Sequence, residues 1–249
     1  MKKLLGRLLG KGVSAVRPTC TAILAAAGSS QRMGGENKLL LPLDGMPVLA
    51  HTLRAVDAAQ SVDEIVIAAR EEDLLTYAEL CKTYGIRKPV KVVVGGATRE
   101  ESVLRAALEA RADAKLLAVQ DGARPLVTPE LFDAVVLRAA VCAAAAPAVP
   151  AHDTIKLARD RRVTETPDRS MLFAVQTPQV FDAGLLKAAL QSALTEHAAL
   201  TDDCSAVERL GKAVYLTDGD EENIKITTPL DLIVAEAILR RREEREAEE

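Results

Sequence analysis

Three stretches of this chain hold the residue types that chemistry at a phosphate needs. In Ala26-Ala27-Gly28-Ser29-Ser30-Gln31-Arg32-Met33 small residues lead to an arginine, and Lys38 follows shortly after. Gly95-Gly96-Ala97-Thr98-Arg99 again joins small residues to a cation, and Gln120-Asp121-Gly122-Ala123-Arg124-Pro125 adds a carboxylate. Glycine and alanine let backbone N–H groups come close to phosphate oxygens, while a basic side chain further along neutralises the remaining charge. An aspartate at a strand end can hold Mg²⁺, which takes oxygen ligands and bridges to substrate phosphates, and Asp121 is the best-placed carboxylate for that. Each stretch also has a plain reading as a turn: glycine-rich turns are common, no G-x-G-x-x-G is present, and Asp121-Gly122 is an ordinary turn pair.

Such loops need a scaffold that brings them together. Apolar runs at residues 21–25, 64–69, 90–94, 116–120 and about 144–149 alternate with helical spacing over 48–60, 73–84, 100–111 and 130–143. The alternation predicts an α/β, Rossmann-like domain over residues 19–240, with a mainly parallel central sheet flanked by helices. Ligands bind beyond the carboxyl ends of the strands in such a sheet, which is where the three stretches fall. Helix starts are marked by Pro47 and Pro129 at first helical positions, by Thr98 with Glu101 as a capping box, and by Thr228, Pro229 and Asp231. The order breaks at about residues 151–180, which read as a protruding two-stranded β-arm without a core of its own. Residues 201–211 read as a short helix with Asp202 and Asp203 at its positive end, and residues 214–216 as a further strand. Residues 241–249 read as a solvated charged tail whose ions need no partner.

The composition of the 249 residues narrows the class. With 49% hydrophobic residues, 2% aromatic and no Trp, the core must be filled by Ala, Val, Leu and Ile. A net charge of −4 gives no basic excess of the kind that holds nucleic acid by counterion release, so an anionic ligand must be met by a local cluster of cations. Cys20, Cys81, Cys142 and Cys204 show no zinc-site spacing and read as reduced thiols of a cytoplasmic protein. Residues 1–18 form a basic leader with Leu4, Leu5, Leu8 and Leu9 on one helical face, too short in its apolar stretch for a secretion signal. No apolar run reaches the ~18 residues of a membrane span, so stable membrane association is not expected. His51, His152 and His197 share no metal or triad spacing. Asp218-Gly219-Asp220 imitates a metal-binding D-x-D but sits among acidic residues after a late strand, where a solvated turn is the simpler reading.

Taken in order, L-A-A-A-G-S-S-Q-R-M with Asn37-Lys38 resembles the signature loop of the sugar-phosphate nucleotidyltransferases. G-G-A-T-R-E-E-S-V, Q-D-G-A-R-P, D-T-I-K, Q-T-P-Q, T-D-D and N-I-K-I-T resemble the 2-C-methyl-D-erythritol 4-phosphate cytidylyltransferases in particular. The likeness runs from about Thr21 to Ala237. It implies transfer of CMP from CTP to 2-C-methyl-D-erythritol 4-phosphate, with Mg²⁺ as cofactor and a homodimer formed through the arm. It further implies that Ala26, Ala27, Gly28, Arg32 and Lys38 wrap the triphosphate, that Gly96 and Ser102 face the cytosine, and that Asp121 meets the metal. Arg99 and Ala123 join this nucleotide side. Thr177, Thr201 and Lys225 would hold the sugar phosphate, with Thr154 and Arg169 reaching over from a neighbouring subunit. Arg32, Lys38 and Lys225 would be catalytic. The sequence departs from the family at Ser30, Asn37 and Ala97, where many relatives have glycine, proline and, in some, aspartate.

A phosphate monoester, with a second pKa near ~6, is largely dianionic at neutral pH and needs no protein base to attack phosphorus. The absence of a suited histidine agrees with that. Ribitol 5-phosphate cytidylyltransferases share most of these motifs and are the alternative within the class. A nucleotide-sugar-dependent glycosyltransferase is the alternative outside it, and a non-catalytic nucleotide-binding module would be expected to lack some of Arg32, Lys38, Arg99 and Lys225.

Overall fold

The computed structural model describes residues 17–28 and 37–248. Arg32 and most of the leader lie outside the described residues. The strands are β1 (Cys20–Ala26), β2 (Pro42–Leu43), β3 (Met46–Pro47), β4 (Glu64–Ala69), β5 (Val90–Val94), β6 (Leu116–Asp121), β7 (Ala144–Pro150), β8 (Leu157–Arg159), β9 (Arg162–Glu165), β10 (Phe173–Val175), β11 (Gln179–Asp182) and β12 (Tyr215–Asp218). The helices are α1 (Val48–Ala58), α2 (Leu74–Thr83), α3 (Arg99–Glu109), α4 (Pro129–Cys142), α5 (Ala183–Thr195), α6 (Asp203–Arg209) and α7 (Pro229–Glu248).

β1 is the hinge of the topology. It pairs in parallel with β4 on one edge and with β6 on the other, so the chain first builds outward through β4 and β5 and then returns to the opposite side. A crevice opens where strand order reverses in this way, and here it lies at the carboxyl ends of β1 and β6. Parallel strands covered by helices on both faces read as continuous apolar runs, and β4 is buried along its whole length. Alternate residues of β1 serve the two sides. Ala22 and Leu24 pack with Leu53 of α1, Tyr77 of α2 and Phe132 of α4, while Ile23 packs with Val103 of α3 and Leu186 of α5.

Several expectations need correction. The two-stranded arm is present as β8 and β9, but the expected stretch runs too far: from residue 173 to its end at about 180 it enters β10 and β11, which run antiparallel to β7 inside the main sheet. Thr98 does cap α3 through the Glu101 N–H, yet the Glu101 carboxylate accepts from Ala97 rather than from Thr98, so the box is not closed. The Asp218-Gly219-Asp220 turn is pinned rather than merely solvated. Gly219 N donates to Ala148 O at 2.9 Å, and a Cβ on Gly219 would lie 2.8 Å from the Ala148 carbonyl carbon. The charged end of α7 is partnered as well: Arg241, Arg242 and Arg245 all reach Glu222. Among the described residues no helix is long and apolar enough to cross a membrane.

Candidate active site

A cleft of about 330 Å³ opens at the carboxyl ends of β1, β5 and β6. Its walls hold Ala26, Ala27 and Gly28 at the end of β1, Gly96 and Arg99 after β5, and Asp121 and Ala123 at the end of β6. Lys38, Ser102 and Lys225 complete the polar lining. Close packing beneath the second loop explains its glycines. A Cβ on Gly95 would come within 2.7 Å of the Ala27 Cβ and 2.9 Å of Ser102 Oγ, so the first and second loops can touch only because nothing projects there. The Ser102 hydroxyl donates to Thr98 O at 2.7 Å and accepts from Gly96 N at 2.9 Å, which fixes the loop against the first turn of α3.

Asp121 is the electrostatic centre. Its Oδ2 pairs with Lys225 Nζ at 2.7 Å and with Arg124 Nε at 3.6 Å, and its Oδ1 with Arg99 Nη2 at 3.7 Å. Burial alone would raise this carboxyl; Lys225, Arg99 and Arg124 outweigh burial and hold it below the usual carboxylate range. Its backbone N–H donates to Thr177 Oγ1 at 3.1 Å. Arg99 is gripped from behind, with Nη2 donating to the fully buried Asp203 Oδ2 at 2.7 Å. Burial works to lower the Arg99 guanidinium, but Asp203 and Asp121 raise it overall, so it stays charged. Burial also pushes the Asp203 carboxyl up, and Arg99 offsets this only in part.

Lys38 lines the same cleft. The turn that carries it is tied by Leu40 N to Asn37 O at 2.9 Å and by Leu39 N to Asn37 Oδ1 at 3.1 Å. Its Nζ donates to Ile226 O at 2.8 Å, next to Lys225 in sequence. Two amines from distant parts of the chain therefore meet at one cleft. Lys38, Arg99, Arg124 and Lys225 are four cations around two carboxylates, Asp121 and Asp203, which leaves the cleft with surplus positive charge, the arrangement a polyphosphate requires.

The family model described as IspD, 2-C-methyl-D-erythritol 4-phosphate cytidylyltransferase, matches residues 20–241. The chain belongs to this family. It is similar to the 2-C-methyl-D-erythritol 4-phosphate cytidylyltransferase of Bacillus cytotoxicus, with 44% identity over 220 residues, 88% of this chain and 97% of the relative. The protein of the same name from Halalkalibacterium halodurans is 43% identical over 90% of this chain and 99% of the relative. Among solved structures, the 4-diphosphocytidyl-2C-methyl-D-erythritol synthase of Anaerococcus prevotii superposes with a TM-score of 0.82 at 30% identity, covering 90% of this chain and 96% of that one. The Thermus thermophilus 2-C-methyl-D-erythritol 4-phosphate cytidylyltransferase gives 0.72 at 30% identity, covering 89% and 99%.

Within this frame the sequence-derived candidates separate into groups. Ala26, Ala27, Gly28, Lys38, Gly96, Arg99, Ser102, Asp121, Ala123 and Lys225 line one cleft. Thr177 stands one hydrogen bond behind it, on the backbone of Asp121. Thr201 is exposed just before α6, with its N–H directed to Ser205 Oγ. Thr154 and Arg169 are exposed near the arm, where Arg169 donates to His152 O at 3.0 Å. None of these last four lines the cleft.

Sequence reasoning missed the supporting residues. Gln179 Oε1 accepts from Asp203 N and Cys204 N at 3.0 Å while its Nε2 donates to Asp202 at 2.8 Å, so the last residue of Q-T-P-Q holds the start of α6, and α6 holds Arg99 through Asp203. Buried Asn223 donates to Thr177 O at 3.1 Å and accepts from Arg124 Nη1 at 2.6 Å through its carbonyl. The signal was the polar residues inside otherwise apolar surroundings, since a buried polar side chain must find a partner.

Proposed function

We propose that this chain transfers the CMP part of CTP to the phosphate of 2-C-methyl-D-erythritol 4-phosphate and releases pyrophosphate. Family membership supports the substrate pair, and the meeting of Lys38 and Lys225 at the Asp121 cleft is the observation that carries the chemistry. The acceptor phosphate, dianionic at neutral pH, attacks the α-phosphorus; a new P–O bond forms as the bond to the bridging oxygen of the β-phosphate breaks. No protein base is needed. Catalysis rests on alignment and on cations placed where negative charge accumulates. In this reading Lys225 faces the α-phosphate, while Lys38 and Arg32 draw off the pyrophosphate. Ala26, Ala27 and Gly28 offer close backbone approach, and Gly96 and Ser102 bound the base side of the cleft.

Mg²⁺ is part of the proposal. The donor set is one carboxylate, and among the described residues no group of three His, Cys, Asp or Glu could hold a metal ion by itself. A magnesium ion can do with one protein carboxylate when waters and substrate phosphates supply its other oxygens, and Asp121 is the carboxylate in the cleft lining. Asp121 would hold it through Oδ1, which pairs with Arg99 at 3.7 Å, beyond hydrogen-bond distance, whereas Oδ2 is engaged by Lys225. Bound there, the ion neutralises phosphate charge.

The homodimer is proposed on the arm. Leu157 and Val163 on β8 and β9, and Met171 and Phe173 beyond them, are exposed, and a two-stranded ribbon is marginal by itself. Thr154 and Arg169 lie on this projection rather than in the cleft, so a neighbour's cleft is where they would act. The cytoplasm is the proposed compartment, on the cysteine spacing alone.

The test is pyrophosphate release from CTP with 2-C-methyl-D-erythritol 4-phosphate and with ribitol 5-phosphate, repeated with ATP, GTP and UTP, and with EDTA followed by excess MgCl₂. Release confined to CTP with the methylerythritol acceptor, abolished by EDTA and restored by Mg²⁺, is expected. Faster release with ribitol 5-phosphate, or with another nucleotide, overturns the assignment.

A further inference from the structure

Lys225 has a long flexible stem, so its position depends on the backbone that carries it. Residues 223–227 belong to no helix or strand, and no ladder of backbone bonds holds them. On the cleft side the segment is fixed by Ile226 N to Ala123 O at 2.8 Å, by Arg124 to Asn223 O, and by Lys38 to Ile226 O. Its other side is held by the end of α7. Glu222, with its side chain 19% exposed, receives Arg242 Nε at 2.7 Å, Arg241, and Arg245 at 3.4 Å. Arg242 reaches further. Its Nη1 donates to Leu126 O at 3.0 Å, on the loop that follows Asp121, and Nη2 lies 3.6 Å from Asp220. One guanidinium thus ties the segment bearing Lys225 to the loop that follows Asp121, and Lys225 and Asp121 are the partners of the 2.7 Å pair in the cleft.

We propose that Glu222 and Arg242, supported by Arg241 and Arg245, are positioning residues that set Lys225 against Asp121, so that the last turns of α7 take part in turnover without lining the cleft. The inference rests on the functional reading above for its kinetic consequence but not for its geometry. Arg242 and Arg245 lie just past residue 241, where the family match ends. Exposed single ion pairs contribute little, whereas a carboxylate shared by several guanidinium groups in a half-buried place constrains geometry.

Two measurements test it together. Steady-state rates are taken for Glu222→Gln, Arg242→Ala and Arg242→Lys, each well below its own melting temperature. Glu222→Gln and Arg242→Ala are expected to lose about tenfold in kcat, while KM for CTP moves far less, because the triphosphate contacts remain. Arg242→Lys, which keeps one bond to Glu222 but cannot fork to Leu126, falls between. In parallel, lysines are labelled by ¹³C-methylation and the Lys225 signal is assigned by its loss in Lys225→Ala. That signal is expected to shift in Arg242→Ala. A merely structural role lowers the melting temperature and leaves both readouts where they were; kcat within about twofold of wild type, or an unmoved Lys225 signal, overturns the proposal. If the signal shifts but the wild type itself releases no pyrophosphate, the positioning stands and the functional reading fails.

Discussion

Asp121 accepts more positive charge than it can cancel, and that imbalance makes the cleft a place for phosphates rather than a closed ion pair. Lys38→Ala and Lys225→Ala each remove a cation at the edge of the cleft without opening a core cavity. Both variants are expected to fold normally and to lose about 10²–10³ in kcat, measured as pyrophosphate release; wild-type-like rates in both would remove the basis of the mechanism. Asp121→Asn takes the carboxylate away from Lys225 and Arg124, while Arg99 keeps Asp203, and is expected to cost about 3 kcal/mol in urea unfolding at neutral pH. The pH dependence has a definite sign. Because the folded carboxyl lies below its ordinary value of 3.8, its contribution is complete above that value and is lost as pH falls through the lower folded one. The gap between wild type and Asp121→Asn should therefore hold steady from neutral pH down to about 4 and close only in more acid solution. A gap that closes near neutrality would mean that another group dominates.

The strands of the parallel sheet are where the sequence was most readable, and the reason is burial. Glu64–Ala69 is legible to the residue because a parallel strand buried under helices leaves a bounded apolar run, whereas Val90–Val94, an edge strand only partly buried, is legible from its β-branched residues. β10 and the start of β11 fall within the stretch that reads as arm because they are short and separated by Gln176-Thr177-Pro178, and nothing local distinguishes a returning strand from a hairpin. The arginines of α7 were read as solvated because Glu222 lies outside the helix and only tertiary structure brings it to them. The cleft's loops were legible from small residues and cations after strands, but their second layer was not, since a side chain such as Tyr77 looks like plain core. Tyr77 of α2 is fully buried, and its hydroxyl accepts from Asn37 Nδ2 at 2.9 Å, beside Lys38. Burial pushes that phenol up to about 12, so it remains a neutral hydroxyl throughout the working range. Here α2 steadies a loop it does not belong to. Tyr77→Phe should cost about 1 kcal/mol and lower kcat several-fold, because the turn bearing Lys38 loosens; an unchanged kcat would separate α2 from the cleft.

At the scale of the whole molecule, the proposed dimer explains why candidate acceptor contacts stand apart from the cleft. Arg169 is exposed and, within its own subunit, donates to a carbonyl at 3.0 Å rather than to any group of the site. If the arm of one subunit completes the cleft of the other, a Lys225→Ala lesion falls in the protomer's own cleft and an Arg169→Ala lesion in the cleft of its partner. Each variant alone is expected to be nearly inactive. In a mixed dimer the Lys225→Ala cleft receives the arm of the Arg169→Ala partner, which places both lesions in one site and leaves the other site with native Lys225 and native Arg169. Random reassociation of equal amounts makes half of the dimers mixed, so activity should recover to about a quarter of wild type. If Arg169 acts within its own subunit, or the arm does not pair, mixing restores nothing. Refolding the two variants together and comparing pyrophosphate release with each variant refolded alone decides between these outcomes.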